Sequence, residues 1–373
     1  MAKPKEELSF LKQLIKDIKD ENFTLADDGL GSAEFGGYID TGSYTFNAAL
    51  SGSLWGGMAD NKIIGLAGKR SAGKTFLALG MLKTFLDSDP TNEAILYETE
   101  GATTRQMMKD RGIDTTRVGI DEPTTVEEFK NRALKYVQNY LDNKPKTKVL
   151  FILDSLGQLS TNKEVRDTLK DEDTRDMTRA QILKAAFRVL TLKLARANIP
   201  MIVTAHVYAA MEKYSPDVIG GGSGLEYAAS QLVRLSKSKD KDDDKKVTGG
   251  IIKIKMEKSR LSKEFTEVKT LIRYDGGLDR YYGLLDFAEQ AGLWKRVSAK
   301  YYDIEKEVAN TKELGPDATK AEKKAMEEVA MAAALIGHED EIMAEPEKYF
   351  NKNFLIRLEP WVNKEFEYGT SIS

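Results

Sequence analysis

Cysteine is missing from all 373 positions, which excludes disulfides, thiolate zinc sites and cysteine nucleophiles and suits a reducing cytoplasm. No run of eighteen or more apolar residues occurs, so no segment is expected to cross a bilayer. Residues 1–22 are studded with lysine and glutamate and lack the apolar centre of a signal peptide, which again points to the cytoplasm. Neither sign of charge dominates: 56 basic against 59 acidic side chains leave a net charge of −3. Bulk electrostatics therefore give no reason to expect nucleic acid, and any such surface must be a local patch or a set of backbone amides. No internal repeat is present.

What remains is the composition of a folded chain, 41% hydrophobic and 31% charged, long enough for one large domain with appendages or two ordinary ones. Leu8, Leu11, Ile15 and Ile18, with Phe10 and Leu14 beside them, form an apolar stripe that predicts an amphipathic helix ending near Asn22. A polar, glycine-containing linker follows at 27–32, so residues 1–36 read as a helix that docks on its own core or on a neighbouring subunit.

From about Tyr38 to Leu293 short apolar runs alternate with helical stretches. Strands are expected at 63–67, 94–97, 149–153 and 200–204, and helices over 76–86, 126–141 and 177–198. Continuous apolar strands separated by helices predict an α/β fold with a mostly parallel sheet covered on both faces. Segments 251–255 and 268–272 read as an antiparallel hairpin edge after a charged turn at 237–246, whose charges solvate an exposed loop. The core is expected over 37–297. Residues 298–373, rich in Lys, Glu and Ala and helical around 318–336, read as a separate appendage.

Gly68-Lys69-Arg70-Ser71-Ala72-Gly73-Lys74-Thr75 matches G-x-x-x-x-G-K-[ST], follows an apolar strand and opens a helix. Such a loop turns successive N–H groups toward phosphate oxygens at a helix N-terminus, with Lys74 neutralising the β/γ-phosphates and Thr75 ligating Mg²⁺. The strand ending in Asp154 places a carboxylate at its tip, suited to the water shell of that ion. A third strand ends in Tyr97-Glu98-Thr99-Glu100, and either glutamate could polarise a water for hydrolysis; spacing does not choose between them.

In order along the chain, Ile39-Asp40-Thr41-Gly42-Ser43, the phosphate loop, Glu100, Asp154-Ser155, Gly220-Gly221-Gly222 and Tyr282-Gly283-Leu284-Leu285-Asp286 resemble RecA-type recombinases. Leu153-Asp154-Ser155-Leu156-Gly157, Asp176-Met177-Thr178-Arg179-Ala180 and Glu257-Lys258-Ser259-Arg260 resemble the phage UvsX branch in particular. The resemblance covers about 38–293. It implies a RecA-type ATPase core with an N-terminal docking helix and a helical C-terminal appendage, and it makes Glu100 the catalytic base. His206, one of two histidines, takes the place of a γ-phosphate sensor. Segments 161–174 and 207–222 correspond to the two DNA-binding loops. There Gly220, Gly221 and Gly222 would let amides approach phosphates, Met211 would wedge between bases, and Arg175 and Arg179 would supply local cations. Lys258 and Arg260 match residues that reach across a subunit interface to ATP. At Met107 the family usually has a tyrosine stacked on adenine, and methionine can pack on a purine through its polarizable sulfur.

The activity so implied is homologous pairing and strand exchange, driven by ATP and Mg²⁺ with DNA-stimulated hydrolysis. The partners are single-stranded DNA, homologous duplex DNA, further copies in a helical filament, and mediator and single-strand-binding proteins. The place of action is the bacterial cytoplasm of a phage-infected cell. A hexameric helicase shares the phosphate loop but ordinarily carries a larger N-terminal domain. A mediator that coats DNA without turnover would have no need of Lys74, Thr75, Asp154 and Glu100 together.

Overall fold

Buried residues in the central strands fall alternately on two sides. In the strand at 63–68, Ile64 and Leu66 join one apolar cluster while Ile63 and Ala67 join another. That period of two, with both faces apolar, requires helices above and below the sheet. A computed structural model describes residues 9–19, 23–28, 34–170, 178–208, 217–220, 223–241, 244–311 and 319–369.

Ahead of the core stand α1 (Phe10–Ile18) and the short ladder of β1 (Tyr38–Ile39) with β2 (Met58–Ala59), which flanks α2 (Tyr44–Ser51). The wound core is β3 (Ile63–Gly68), α3 (Lys74–Ser88), β4 (Glu93–Glu98), α4 (Arg105–Lys109), β5 (Val118–Asp121), α5 (Val126–Asn143), β6 (Val149–Asp154), α6 (Asn162–Thr168), α7 (Arg179–Arg196) and β7 (Met201–Tyr208). It continues through β8 (Val218–Ile219), α8 (Gly224–Ala228), β9 (Gln231–Lys241), β10 (Val247–Ser259), β11 (Glu267–Arg273) and β12 (Gly277–Leu278). Then come α9 (Leu284–Gln290), β13 (Trp294–Val297), β14 (Lys300–Asp303), α10 (Ile304–Asn310), α11 (Lys320–Ala334), β15 (Leu335–His338), α12 (Glu339–Ala344), α13 (Pro346–Tyr349) and α14 (Lys352–Phe366).

The main sheet runs β12-β11-β10-β9-β3-β7-β6-β4-β5, with β8 paired to the end of β7. From β9 to β5 every pairing is parallel, and β9 to β12 is an antiparallel meander. All four expected parallel strands and all three expected core helices are present, within a few residues at each end.

Two expectations change. The charged stretch at 237–246 is not all turn: Lys237–Lys241 is the outer half of β9, paired residue by residue with β10. Beyond Leu235 that strand leaves the core, and its cross-strand hydrogen bonds rather than burial hold it extended. The second change concerns the C-terminal part. A boundary at 297/298 cuts the hairpin in which Trp294 pairs with Asp303, and α14 buries Phe354, Leu358, Val362 and Phe366 in the same apolar cluster as α2 and α3. Helix α14 and the hairpin strand β14 are thus built into the core rather than hung from it.

Helix α1 is the opposite case. Ser9 caps it by accepting the Lys12 N–H, yet none of its side chains is buried, and Phe10 is 78% exposed.

Candidate active site

The site forms where parallel strands end together. Gly68 of β3 lies in register with His206 of β7, and Glu98 of β4 with Asp154 of β6, so four strands bring their C-terminal ends to one rim of the sheet. The loop 69–73 leaves that rim and closes on the first turn of α3. Gly73 has φ +95°, and a Cβ there would lie 2.8 Å from Ile252, so only glycine fits. A Cβ on Gly68 would lie 2.8 Å from the Leu235 carbonyl oxygen. Lys69, Arg70 and Ser71 face solvent and Ala72 is buried.

Lys74 is buried beneath this loop, its Nζ donating to the carbonyls of Gly68 (3.0 Å) and Lys69 (3.1 Å). Burial pushes its ammonium below the usual lysine range, against the pull of Glu100 and Asp154. Asp154 is also buried, and its carboxylate accepts from the Thr204 and Thr75 hydroxyls. Burial raises this carboxyl above the usual range despite those bonds, and the charges of Glu100 and Glu98 add to the rise. The peptide between Asp154 and Ser155 is cis. Thr99 ties the strand ends together: its Oγ1 accepts the Ser155 N–H at 2.8 Å and donates to the Ser155 carbonyl at 2.8 Å.

The two glutamates that spacing left undecided have different surroundings. Glu98 is buried, and its carboxylate accepts the backbone N–H groups of Gly101 (2.7 Å), Ala102 (3.1 Å) and Glu100 (3.3 Å). It closes a turn and faces no open space. Glu100 sits above, accepting from Ser155 Oγ at 2.5 Å and lying 3.0 Å from His206 Nε2. Burial by itself would raise the Glu100 carboxyl, but Ser155, His206 and Lys74 together hold it below the usual carboxylate range. It is thus a partly exposed carboxylate at neutral pH, as a base requires.

Thr75 and Asp154 offer one hydroxyl and one carboxylate. Among the described residues no group of three or more His, Asp or Glu side chains could hold a metal by itself. Hard oxygen donors too few to cage an ion suit Mg²⁺, which completes its shell with phosphate oxygens and water. Met107 lies in α4, capped by Thr104 through its own N–H at 3.1 Å. Its carbonyl accepts from Arg111 at 2.8 Å, and that guanidinium lies 4.8 Å over the ring of Phe76, next to Thr75.

The remaining sequence candidates divide four ways. Arg175, Met211, Gly221 and Gly222 lie outside the described residues. Gly220 donates its N–H to the His206 carbonyl at 2.7 Å, and a Cβ there would lie 2.7 Å from the Tyr208 ring. Arg179 points its guanidinium at the carbonyls of Leu159 and Gly157, both at 2.9 Å, holding the segment after β6. Lys258 and Arg260 are at the far rim. Because β9 starts beside the start of β3 and β10 returns antiparallel, Ser259 ends opposite Gln231, at the end of the sheet away from the phosphate loop. The six residues of β3 separate the rims by about 20 Å. Lys258 Nζ donates to the carbonyls of Glu226 (2.6 Å) and Ala229 (2.8 Å), and burial, then the Arg260 charge, push its ammonium down.

Sequence reasoning missed Thr99 and Thr204, and it missed a cleft of about 750 Å³ between the loop and the meander, lined among others by Lys69, Arg70, Arg234, Lys237, Lys253 and Lys255. The alternation Lys253-Ile254-Lys255 was the available signal for the last two.

Residues 28–279 match the RecA N-terminal domain family. Over 257 residues the chain is 34% identical to the recombination and repair protein of Enterobacteria phage T4, covering 69% of this chain and 64% of that one, a little under two thirds of its length. Protein RecA of Paracoccus denitrificans is 25% identical over 263 residues, 70% of each chain. Protein RecA of Thermotoga maritima is 25% identical over 313 residues, 81% of this chain and 83% of its own. Since the matched span takes in the whole sheet from β3 to β12 and both of its rims, this chain belongs to the RecA family.

Proposed function

We propose that this chain is an ATP-dependent DNA strand-exchange protein that polymerises on single-stranded DNA, pairs it with homologous duplex and hydrolyses ATP in response to DNA. The observation that carries the reading is the separation of the two rims. Phosphate loop and base sit at one end of the sheet, Lys258 and Arg260 at the other, so cations and nucleotide can meet only when one protomer stacks on the next. A head-to-tail contact of this kind builds filaments.

Within the site, Lys74 and the loop amides bind the β- and γ-phosphates, and Thr75 with Asp154 holds Mg²⁺, which when bound neutralises phosphate charge. Glu100 accepts the proton of the attacking water. His206 joins Glu100 to Lys74, and its carbonyl accepts the Gly220 N–H, so a phosphate oxygen that competes for its ring is felt at Gly220. Met107 walls the base pocket beside the Arg111–Phe76 pair.

DNA is held by phosphate contacts and stacking, through Arg175, Met211 and the amides of Gly220, Gly221 and Gly222, with the cationic cleft beside the loop as a further surface. Arg179 contributes by shaping the 156–159 segment. Mediator and single-strand-binding proteins, and the cytoplasm of a phage-infected bacterium, complete the reading. The phage relative supports it, and among the described residues no helix is long and apolar enough to cross a membrane. ATPase rate with and without single-stranded DNA, with electron microscopy of the same mixture, tests it. DNA-independent turnover, or closed rings instead of open filaments, would remove the case.

A further inference from the structure

Resting on the reading that Lys258 and Arg260 act on a neighbour's ATP, the structure assigns a positioning role to the last residues of α14 and the few that follow. The turn that leaves β10 is ordered from two sides. On the inner side Ser259 Oγ accepts the N–H groups of Leu261 (3.1 Å) and Ser262 (2.9 Å), Ser262 Oγ donates to the Ala49 carbonyl (2.7 Å), and the Arg260 N–H reaches Ser230 O (3.0 Å). These contacts stop at Ser262. Two residues on, Glu264 folds back to accept the Ser259 N–H at 3.1 Å, and Phe265 stands 74% exposed at φ +65°.

The hairpin closes through Phe265 N–H to Met256 O and Met256 N–H to Thr266 O, both at 2.9 Å, and the other side of the turn is gripped by the C-terminal end. Lys263 donates its N–H to Phe366 O at 2.7 Å and its ammonium to Lys364 O at 2.6 Å. Ser262 and Glu367 form an antiparallel bridge, and Tyr368 OH reaches Ser259 O at 3.4 Å. Helix α14 can transmit restraint because it is itself anchored. Phe354, Leu358, Val362 and Phe366 are buried, the Glu359 carboxylate accepts the Leu54 N–H at 3.0 Å, and Asn363 donates to Gly52 O at 2.7 Å. A rigid core thus grips an edge turn through one helix, and that turn carries the two cations. Bonds to 364, 366 and 367 steady the turn from which Arg260 projects, next to Lys258 on its own carbonyls of Glu226 and Ala229, and placement matters because small displacements of a charge at a reacting phosphate weaken its effect steeply.

The test compares the full chain with one ending at Phe366, and Lys263→Ala with Lys263→Arg, which keeps a donor. Each is also made in a Lys258→Ala/Arg260→Ala background. The shortened chain and Lys263→Ala are expected to lower DNA-stimulated kcat roughly tenfold while DNA-free ATP affinity and cooperative melting persist, with Lys263→Arg close to the parent. In the cation-free background neither change adds a further loss, since both act through the same two residues. Equal losses in both backgrounds, or no loss at all, overturn the positioning role. If Lys258→Ala/Arg260→Ala alone keeps full stimulated turnover, the reading beneath it fails first, and the proposal with it.

Discussion

Glu100 and His206 meet at 3.0 Å through Oε1 and Nε2, and the other nitrogen of the same imidazole lies 3.4 Å from the Lys74 ammonium. One ring therefore spans the base and the phosphate-binding cation. A glutamine at 206 offers an amide donor for Glu100 and a carbonyl oxygen for Lys74 on a freer side chain, whereas alanine offers neither. His206→Gln is expected to keep basal turnover and part of its DNA stimulation, whereas His206→Ala loses the stimulation. Steady-state ATPase across a DNA titration distinguishes them, and equal stimulation in both variants would contradict the linkage.

Glu100→Gln should bind ATP normally and hydrolyse it about 10²–10⁴-fold more slowly, leaving DNA filaments that fail to dissociate. Glu98→Gln should behave differently, because its carboxylate closes the 100–102 turn. Its main effect is a lower melting temperature, with a smaller loss of turnover. Single-turnover hydrolysis and thermal melting of both variants separate base from cap.

The Glu100 carboxyl is held below its ordinary range, so its ionised form favours the folded state. That contribution is complete above the usual glutamate pKa of about 4.3 and is lost as pH falls through the depressed folded value. The stability difference between the parent and Glu100→Gln is therefore expected to be flat from neutral pH down to about 5 and to shrink below it. Denaturant melts along a pH series check the sign. A difference that grows on acidification would mean the carboxyl is raised instead.

Lys74→Ala and Lys258→Ala/Arg260→Ala should each be nearly inactive. Mixed in equal amounts they should recover activity at about one quarter of the interfaces, those where an intact loop meets intact cations, because the contact is heterologous. ATPase of the mixture with single-stranded DNA reads this directly. A mixture no better than its parts would place loop and cations in the same protomer.

Deleting residues 1–36 should leave a folded nucleotide-binding core that no longer polymerises, since α1 exposes Phe10, Leu11 and Ile18 and buries nothing in its own chain. Sedimentation with nucleotide and DNA is the measurement, and filaments of normal length from the shortened protein would return the helix to its own core.

Strands β3, β4, β6 and β7 were legible because each is an unbroken apolar run between helical stretches, and the phosphate loop announces itself by spacing; β5, with Gly119 and Ile120 exposed, carries no such signal. Glu98 and Glu100 were not separable, because the choice depends on three amides turning back onto one carboxylate, a fact of backbone path. Arg179 looked like a phosphate contact since a basic residue in a polar segment carries no sign of the carbonyls that fold against it. The outer half of β9 reads as turn because Lys, Asp and Ser are poor strand formers, and only pairing with β10 keeps it extended. The C-terminal residues gave least: α14 contains Pro360, and although Phe354, Leu358, Val362 and Phe366 recur every four residues, the grooves they fill are made by α2 and α9, distant in sequence.

Placing loop and cations at opposite rims makes the two ends of any stack chemically unlike. One terminal protomer presents a phosphate loop that no cation faces, and the other presents Lys258 and Arg260 with no nucleotide to meet. Under the proposed stacking, complete sites number one fewer than protomers, so a lone copy has none and turnover per copy is expected to climb with assembly length. On the same proposal, growth and loss at the two tips would proceed by different chemistry, and the polymer would take its direction from the strand order of a single sheet.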